Sequence, residues 1–164
     1  MAKKKKEEEG VITRNRKALH NYFVDERFET GMVLLGTEVK SLREHKVQLT
    51  DAYARFERGE LWLLSAHINP YSHGTHTNHA PERPRKLLMH KRELRRLEHK
   101  AAQPGVTLVP LKLYFKGSHV KCEIGLCRGK KQFDKRATIA KREAARDIAR
   151  AHAHVHKQRG SWGD

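Results

Sequence analysis

The sequence predicts a mainly β fold, an antiparallel barrel with two or three short flanking helices, followed by a basic C-terminal tail that is disordered when free. Three observations carry that prediction. Short runs rich in β-formers recur between turn signals with no strand–helix–strand alternation. Val120, Cys122, Ile124 and Leu126 alternate with Lys121 and Glu123, the period of a half-buried strand. After Gly129 this patterning stops, and cations and alanines replace it.

The elements follow in order. Residues 1–10 run from lysines to glutamates, are too polar to bury, and read as a disordered charged leader. No apolar segment follows Lys3–Lys6, so the leader is not expected to be a secretory signal. Order begins near Val11. Phe28–Leu35 reads as a strand whose Gly31 marks a bend or bulge. Gly36 and Thr37 break the run, with Thr37 as N-cap. Val39 and Leu42 then share one face of a short helix that fades by His45. Tyr53–Phe56 and Leu61–His67 form a hairpin turned by Glu57-Arg58-Gly59-Glu60. Asn69–Arg85 carries three prolines with His, Thr and Asn, and reads as a long functional connection. A second helix spans His90–Gln103, with Leu94, Leu97 and Ala101 on one side and Pro104-Gly105 as its stop. Val106–Arg128 is the clearest hairpin, turned at Lys116-Gly117-Ser118. Five or six strands and two helices over residues 11–128 fit an OB-like barrel, the commonest small barrel that binds RNA.

Residues 129–164 form the tail. Ten Lys and Arg against four acids give it a net charge of +6. Thr138–Ala153 holds six alanines, but Ile139 and Ile148 stand nine apart and leave a thin apolar face. Such a segment gains helix when a polyanion neutralises it.

Charge sets the function class. In 164 residues, 35 Lys and Arg oppose 19 Asp and Glu for a formal +16, a field that draws nucleic acid. No apolar stretch approaches the ~20 residues that span a bilayer, so no membrane is expected. Cys122 and Cys127 are the only cysteines, which gives no disulfide framework and points to a reduced, cytoplasmic chain.

No nucleophile elbow, phosphate loop, dinucleotide fingerprint or zinc-protease motif is present, and no catalytic residue or cofactor is expected. Of His152, His154 and His156 only the outer two share a helical face, a pair without a third ligand, so no metal site is expected. Cys122 and Cys127 lie on opposite faces of one strand, one as core and one as surface, rather than as zinc ligands. The remaining chemistry is cationic. Asn15-Arg16-Lys17, Lys40 with Arg43, and Arg83, Arg85 and Lys86 are candidate phosphate contacts, any one of which could equally be a solvated surface. Gly129-Lys130-Lys131-Gln132-Phe133-Asp134-Lys135-Arg136 sets one ring in a run of cations. The ring can stack on a base for ~1–3 kcal/mol or tack the tail's root to the barrel.

Five segments in register resemble the SmpB, or SsrA-binding protein, family. They are Asn15-Arg16-Lys17-Ala18 with Tyr22, Gly36-Thr37-Glu38-Val39-Lys40-Ser41-Leu42-Arg43, Arg85-Lys86-Leu87-Leu88, Pro110-Leu111-Lys112-Leu113-Tyr114, and Gly129-Lys130-Lys131 with Asp134-Lys135-Arg136. The resemblance implies an OB-type barrel that is not an enzyme. It binds the tRNA-like part of transfer-messenger RNA and, with elongation factor Tu and GTP, brings it to stalled bacterial ribosomes. The tail then enters the vacant mRNA channel as a helix.

By matching position, the RNA face includes Asn15, Glu29, Leu88 and Lys121, to which charge and motif add Arg16, Lys17, Lys40, Arg43 and Lys86. Glu29 fits such a face only if it accepts hydrogen bonds from base or sugar donors. Phe133 is implied to stack at the decoding centre, beside Lys130, Lys131, Asp134, Lys135 and Arg136. Lys141, Arg142, Arg146 and Arg150 continue along ribosomal RNA. A monomer is expected. The chain departs from the pattern in carrying Phe133 where another ring is usual and Ala151-His152 where bulkier apolar residues occur. His152–Asp164 matches nothing in the family. The alternative class is a general OB-type RNA-binding or ribosomal protein.

Overall fold

A computed structural model describes residues 10–74, 78–131, 134, 139, 143–148 and 150. The chain divides into Met1–Gly129 and Lys130–Asp164. The first unit runs β1 (Val11–Arg14), α1 (Arg16–Asn21), β2 (Tyr22–Met32), α2 (Gly36–Arg43), β3 (Val47–Gln48), β4 (Tyr53–Glu57), β5 (Glu60–Leu64), β6 (His67–Ile68), β7 (Arg85–Leu88), α3 (Lys91–Ala101), β8 (Val106–Lys116) and β9 (His119–Gly129).

The large sheet has the order β1-β8-β4-β5-β7-β2-β9, and β9 pairs back onto β8, so six antiparallel strands close a ring. The first half of β8 meets β4 at Ala54 and Leu108; the second half takes β1 as an extra edge. β3 and β6 pair separately. Closure leaves few free edges.

Alternation decides the inside. Val120, Cys122, Ile124 and Leu126 of β9 are buried with Leu61 and Leu63 of β5, Leu87 of β7, and Leu108 and Leu113 of β8. α3 lays Leu94, Leu97 and Ala101 on this core, as its spacing predicts. Gly105, at φ +77°, then turns the chain into β8.

The hairpin turns fall as predicted, with Glu57 opposite Glu60 and Lys116 opposite His119. Several expectations are corrected. β2 begins at Tyr22 rather than Phe28, because Asp25, Arg27 and Glu29 occupy its outward positions and thin out its β-formers. Its bulge lies between Val24 and Glu26, not at Gly31, which sits in continuous register. Cys127 is not a surface residue: α1 covers the outer face there, and Cys127 packs with Ala18, Val109 and Leu111. Both cysteines are free and buried.

Thr37 is not the N-cap. Leu35 is, and the Glu38 carboxylate accepts from its N–H at 2.7 Å. Glu38 and Arg85 are both fully buried, and Arg85 Nε donates to Glu38 Oε1 at 2.8 Å. Arg83 donates to the same carboxylate from Nε and Nη2. The rest of the Arg85 fork donates to the carbonyls of Ala66, Pro81 and Arg83. Burial alone would raise the Glu38 pKa, but Arg83, the Leu35 N–H and Arg85 outweigh it and hold it below the ordinary value. This cluster ties α2 to the described parts of the 69–84 connection. His79 adds a tie: it donates from Nε2 to Ile68 O at 3.1 Å, and its Nδ1 accepts from the Thr37 hydroxyl at 2.9 Å.

Candidate nucleic-acid interface

Register places four residues in one row across the outer face of the barrel. Leu88 of β7 lies opposite Gly31 of β2, Gly31 opposite Lys121 of β9, and Lys121 opposite Tyr114 of β8. Side chains of a strand alternate between faces. Leu87 therefore fills the core, while Leu88 is 48% exposed. One step along, Glu29 faces Glu123, which faces Lys112.

Glu29 organises this face. Its carboxylate accepts from Tyr114 Oη at 2.5 Å and from Lys116 Nζ at 2.9 and 3.1 Å, and Lys121 Nζ stands 4.0 Å away. The Tyr114 hydrogen bond, then that of Lys116, holds the Glu29 pKa below its ordinary value. Burial, aided by Glu29, pushes the Tyr114 phenol up, so it remains a donor. Glu123 pairs with Lys112 and Arg27, each at 3.1 Å, and Lys112 Nζ sits 5.1 Å from the centre of the Tyr114 ring. Within the chain the Glu29 oxygens are held by Tyr114 and Lys116. Beside it, Glu29, Gly31, Leu88, Met89, Val120 and Lys121 line a surface cleft of about 560 Å³.

Three residues that the family resemblance named separately, Glu29, Leu88 and Lys121, therefore meet in one cleft. The sequence comparison agrees. The family model described as SmpB protein matches residues 12–154. The chain belongs to the SmpB family. It is 57% identical over 143 residues to an SsrA-binding protein of Carboxydothermus hydrogenoformans, covering 87% of this chain and 96% of that one. It is 50% identical over 155 residues to one of Thermobifida fusca, covering 92% and 97%. A solved chain described as "tmRNA-SmpB: a journey to the center of the bacterial ribosome" is 52% identical, with TM-score 0.64, over 75% of this chain and 86% of that chain.

The other candidates the sequence offered do not line this cleft. Asn15 is 3% exposed, and its carboxamide is spent inside the fold. Oδ1 accepts from Ala18 N at 3.0 Å, capping α1, and Nδ2 donates to Leu49 O at 2.7 Å. Facing RNA would cost both bonds, whereas Arg16 and Lys17 beside it are exposed. Lys17 pairs with Asp51 at 3.2 Å across an exposed contact. Lys40 and Arg43 project from α2, and Lys40 Nζ lies 5.1 Å from the Tyr71 ring centre. Lys86 shares the face of Leu88 and pairs with Glu60. Arg85, by contrast, is an internal counter-ion rather than a phosphate contact.

In the second unit, Asp134, Ile139, Glu143–Ile148 and Arg150 have helical backbone. Arg146 and Arg150 are exposed, Arg150 pairs with Asp147 at 3.1 Å, and Lys131 N donates to Asp134 at 3.2 Å. Phe133, Lys135, Arg136, Lys141 and Arg142 lie outside the described residues.

Sequence reasoning missed Gly31, Lys112, Tyr114 and Lys116 as members of this face. The signal was available: Lys112, Tyr114 and Lys116 alternate along β8 with buried Leu113 between the first two. Among the described residues no metal-holding cluster occurs, and no helix is long and apolar enough to cross a membrane.

Proposed function

We propose that this chain binds the tRNA-like part of transfer-messenger RNA through the face centred on Leu88, Gly31, Lys121 and Tyr114. It then carries that RNA, with elongation factor Tu and GTP, to stalled bacterial ribosomes for trans-translation. It acts as a cytoplasmic monomer and catalyses no reaction. The observation that carries this reading is the meeting of Glu29, Leu88 and Lys121 in one cleft, in a chain so similar to SsrA-binding proteins.

The chemistry fits RNA. Lys121 and Lys116 offer cations to phosphates, while Leu88 offers apolar surface to an unstacked base. Glu29 fixes the two ammonium groups, so the face has a geometry as well as a charge. In the tail, Lys130, Lys131 and the cations through Arg150 engage ribosomal RNA at the decoding centre and in the vacant mRNA channel. Phe133 stacks there, and the helix completes itself on the ribosome.

Two measurements test this. At physiological salt the protein should bind the tRNA-like fragment far more tightly than an unrelated hairpin of equal length. Equal affinities would reduce it to a general OB-type RNA-binding module. Truncation after Gly129 should leave that affinity nearly intact and abolish peptide tagging on stalled ribosomes. Parallel losses of both would end the division of labour.

A further inference from the structure

We propose that Gly31 determines specificity: its missing side chain leaves a slot on the barrel surface, between Leu88 and Lys121, that takes one unstacked nucleobase. This rests on the transfer-messenger RNA reading above and adds to it a residue and a subsite.

Glycine inside a strand is costly, by roughly 0.5–1 kcal/mol against alanine, and so calls for a reason. Three ordinary reasons fail here. The backbone is not left-handed at Gly31, unlike Gly10, Gly59, Gly105 and Gly117, whose φ values run from 60° to 90°. There is no bulge, since pairing with β9 continues through Thr30 and Gly31. Nor does close packing exclude a side chain. At Gly125 a Cβ would stand 3.0 Å from both Cys127 Sγ and Leu111 Cδ1. At Gly31 the nearest atom would be Leu88 Cβ at 3.4 Å, an ordinary contact.

Two uses of a strand glycine remain, a tight bend of the barrel and the close approach of a ligand, and the cleft that Gly31 lines with Leu88 and Lys121 points to the second. Neighbouring strands lie about 4.8 Å apart, so the backbones at Leu88 and Lys121, flanking Gly31, stand roughly 10 Å apart, with Leu88 Cδ1 3.9 Å from where a Gly31 Cβ would sit. A base about 3.4 Å thick enters such a gap edge-on once no Cβ fills its floor. The walls suit that ligand. Leu88 gives an apolar surface, left 48% exposed at one end of the row. Lys121 gives a cation on the other side, and Glu29, held by Tyr114 and Lys116, lines the same cleft.

The experiment uses full-length protein, the tRNA-like fragment and an unrelated hairpin, with Gly31→Ala and Gly31→Val. Valine suits a strand, so the thermal midpoint should hold or rise. Affinity of Gly31→Val for the tRNA-like fragment should fall about tenfold or more, the scale of one lost stacking contact. Gly31→Ala should lose less. Hairpin affinity and the salt dependence should not move, because the phosphate contacts remain. If wild type prefers the tRNA-like fragment and Gly31→Val keeps that preference, the slot is empty and the proposal fails. Should the midpoint of Gly31→Ala drop together with its affinity, Gly31 is a packing residue and the proposal fails equally. A wild type without preference overturns the parent reading itself.

Discussion

Glu38 and Glu29 are each clasped by basic side chains, and each is held below its ordinary pKa, yet only Glu38 is shut away from solvent. Glu38 has no exposed surface and gathers Arg83, Arg85 and a helix-capping N–H. Glu29 keeps a side chain 41% exposed and gathers Tyr114, Lys116 and Lys121. Breaking a buried pair strands an unpaired charge in a poor solvent, whereas breaking an exposed one lets water replace the partner. The first cluster therefore sets stability. The second contributes little to it and is free to set the geometry of a binding face.

The sharpest way to break this contrast is to neutralise the buried member. Glu38→Gln or Arg85→Met should cost about 3–5 kcal/mol in denaturant unfolding, since each leaves the other charge uncompensated. A loss under about 1 kcal/mol would put the two glutamates in one class. The same cluster has a pH signature. With a folded pKa below the ordinary glutamate value of about 4.3, Glu38 adds stability above that value and loses it as pH falls through the folded pKa. The stability gap between wild type and Glu38→Gln should therefore close on acidification, and a gap constant down to strong acid would contradict the assignment.

Next in size, Glu29→Lys should weaken binding to the tRNA-like fragment about tenfold or more despite the added positive charge. It removes the hydrogen bonds that fix Tyr114 and Lys116. Stability should change by no more than about 1 kcal/mol. Combining Glu29→Lys with Lys116→Glu should recover part of the affinity. If it recovers none, Glu29 acts on the RNA directly rather than through its neighbours.

The smallest effect concerns the thiols, where burial again decides. It pushes both pKa values up, that of Cys127 to about 11 with Asp25 adding to the rise. Neither should be alkylated in native protein at pH 8, and both should react in urea. Rapid native labelling of Cys127 would restore it to the surface.

Much of the fold was legible in local pattern. Period-2 alternation found β8 and β9, the Arg58-Gly59 turn found the β4–β5 hairpin, and the Leu94, Leu97 and Ala101 stripe found α3. β2 was misplaced because four of its eleven residues are charged, so its composition hides it. α1 carries only Ala18 inward, too little for a periodic signal. The site was legible only through family resemblance, which named Glu29, Leu88 and Lys121 without joining them.

Sequence by itself determined the strong positive charge, the alternation that puts Ile124 inside and Lys121 outside, and the break in character after Gly129. Those are properties of single residues and near neighbours, and they need no partner to be read. Tertiary structure alone decided that Arg85 is an internal counter-ion while Lys121 is a surface cation, that Cys127 lies under α1, and that Gly31 stands between Leu88 and Lys121. Burial and cross-strand neighbours are set by which distant segments pair, and the sheet register joins residues as far apart as Tyr22 and Gly129 that carry no local mark of one another.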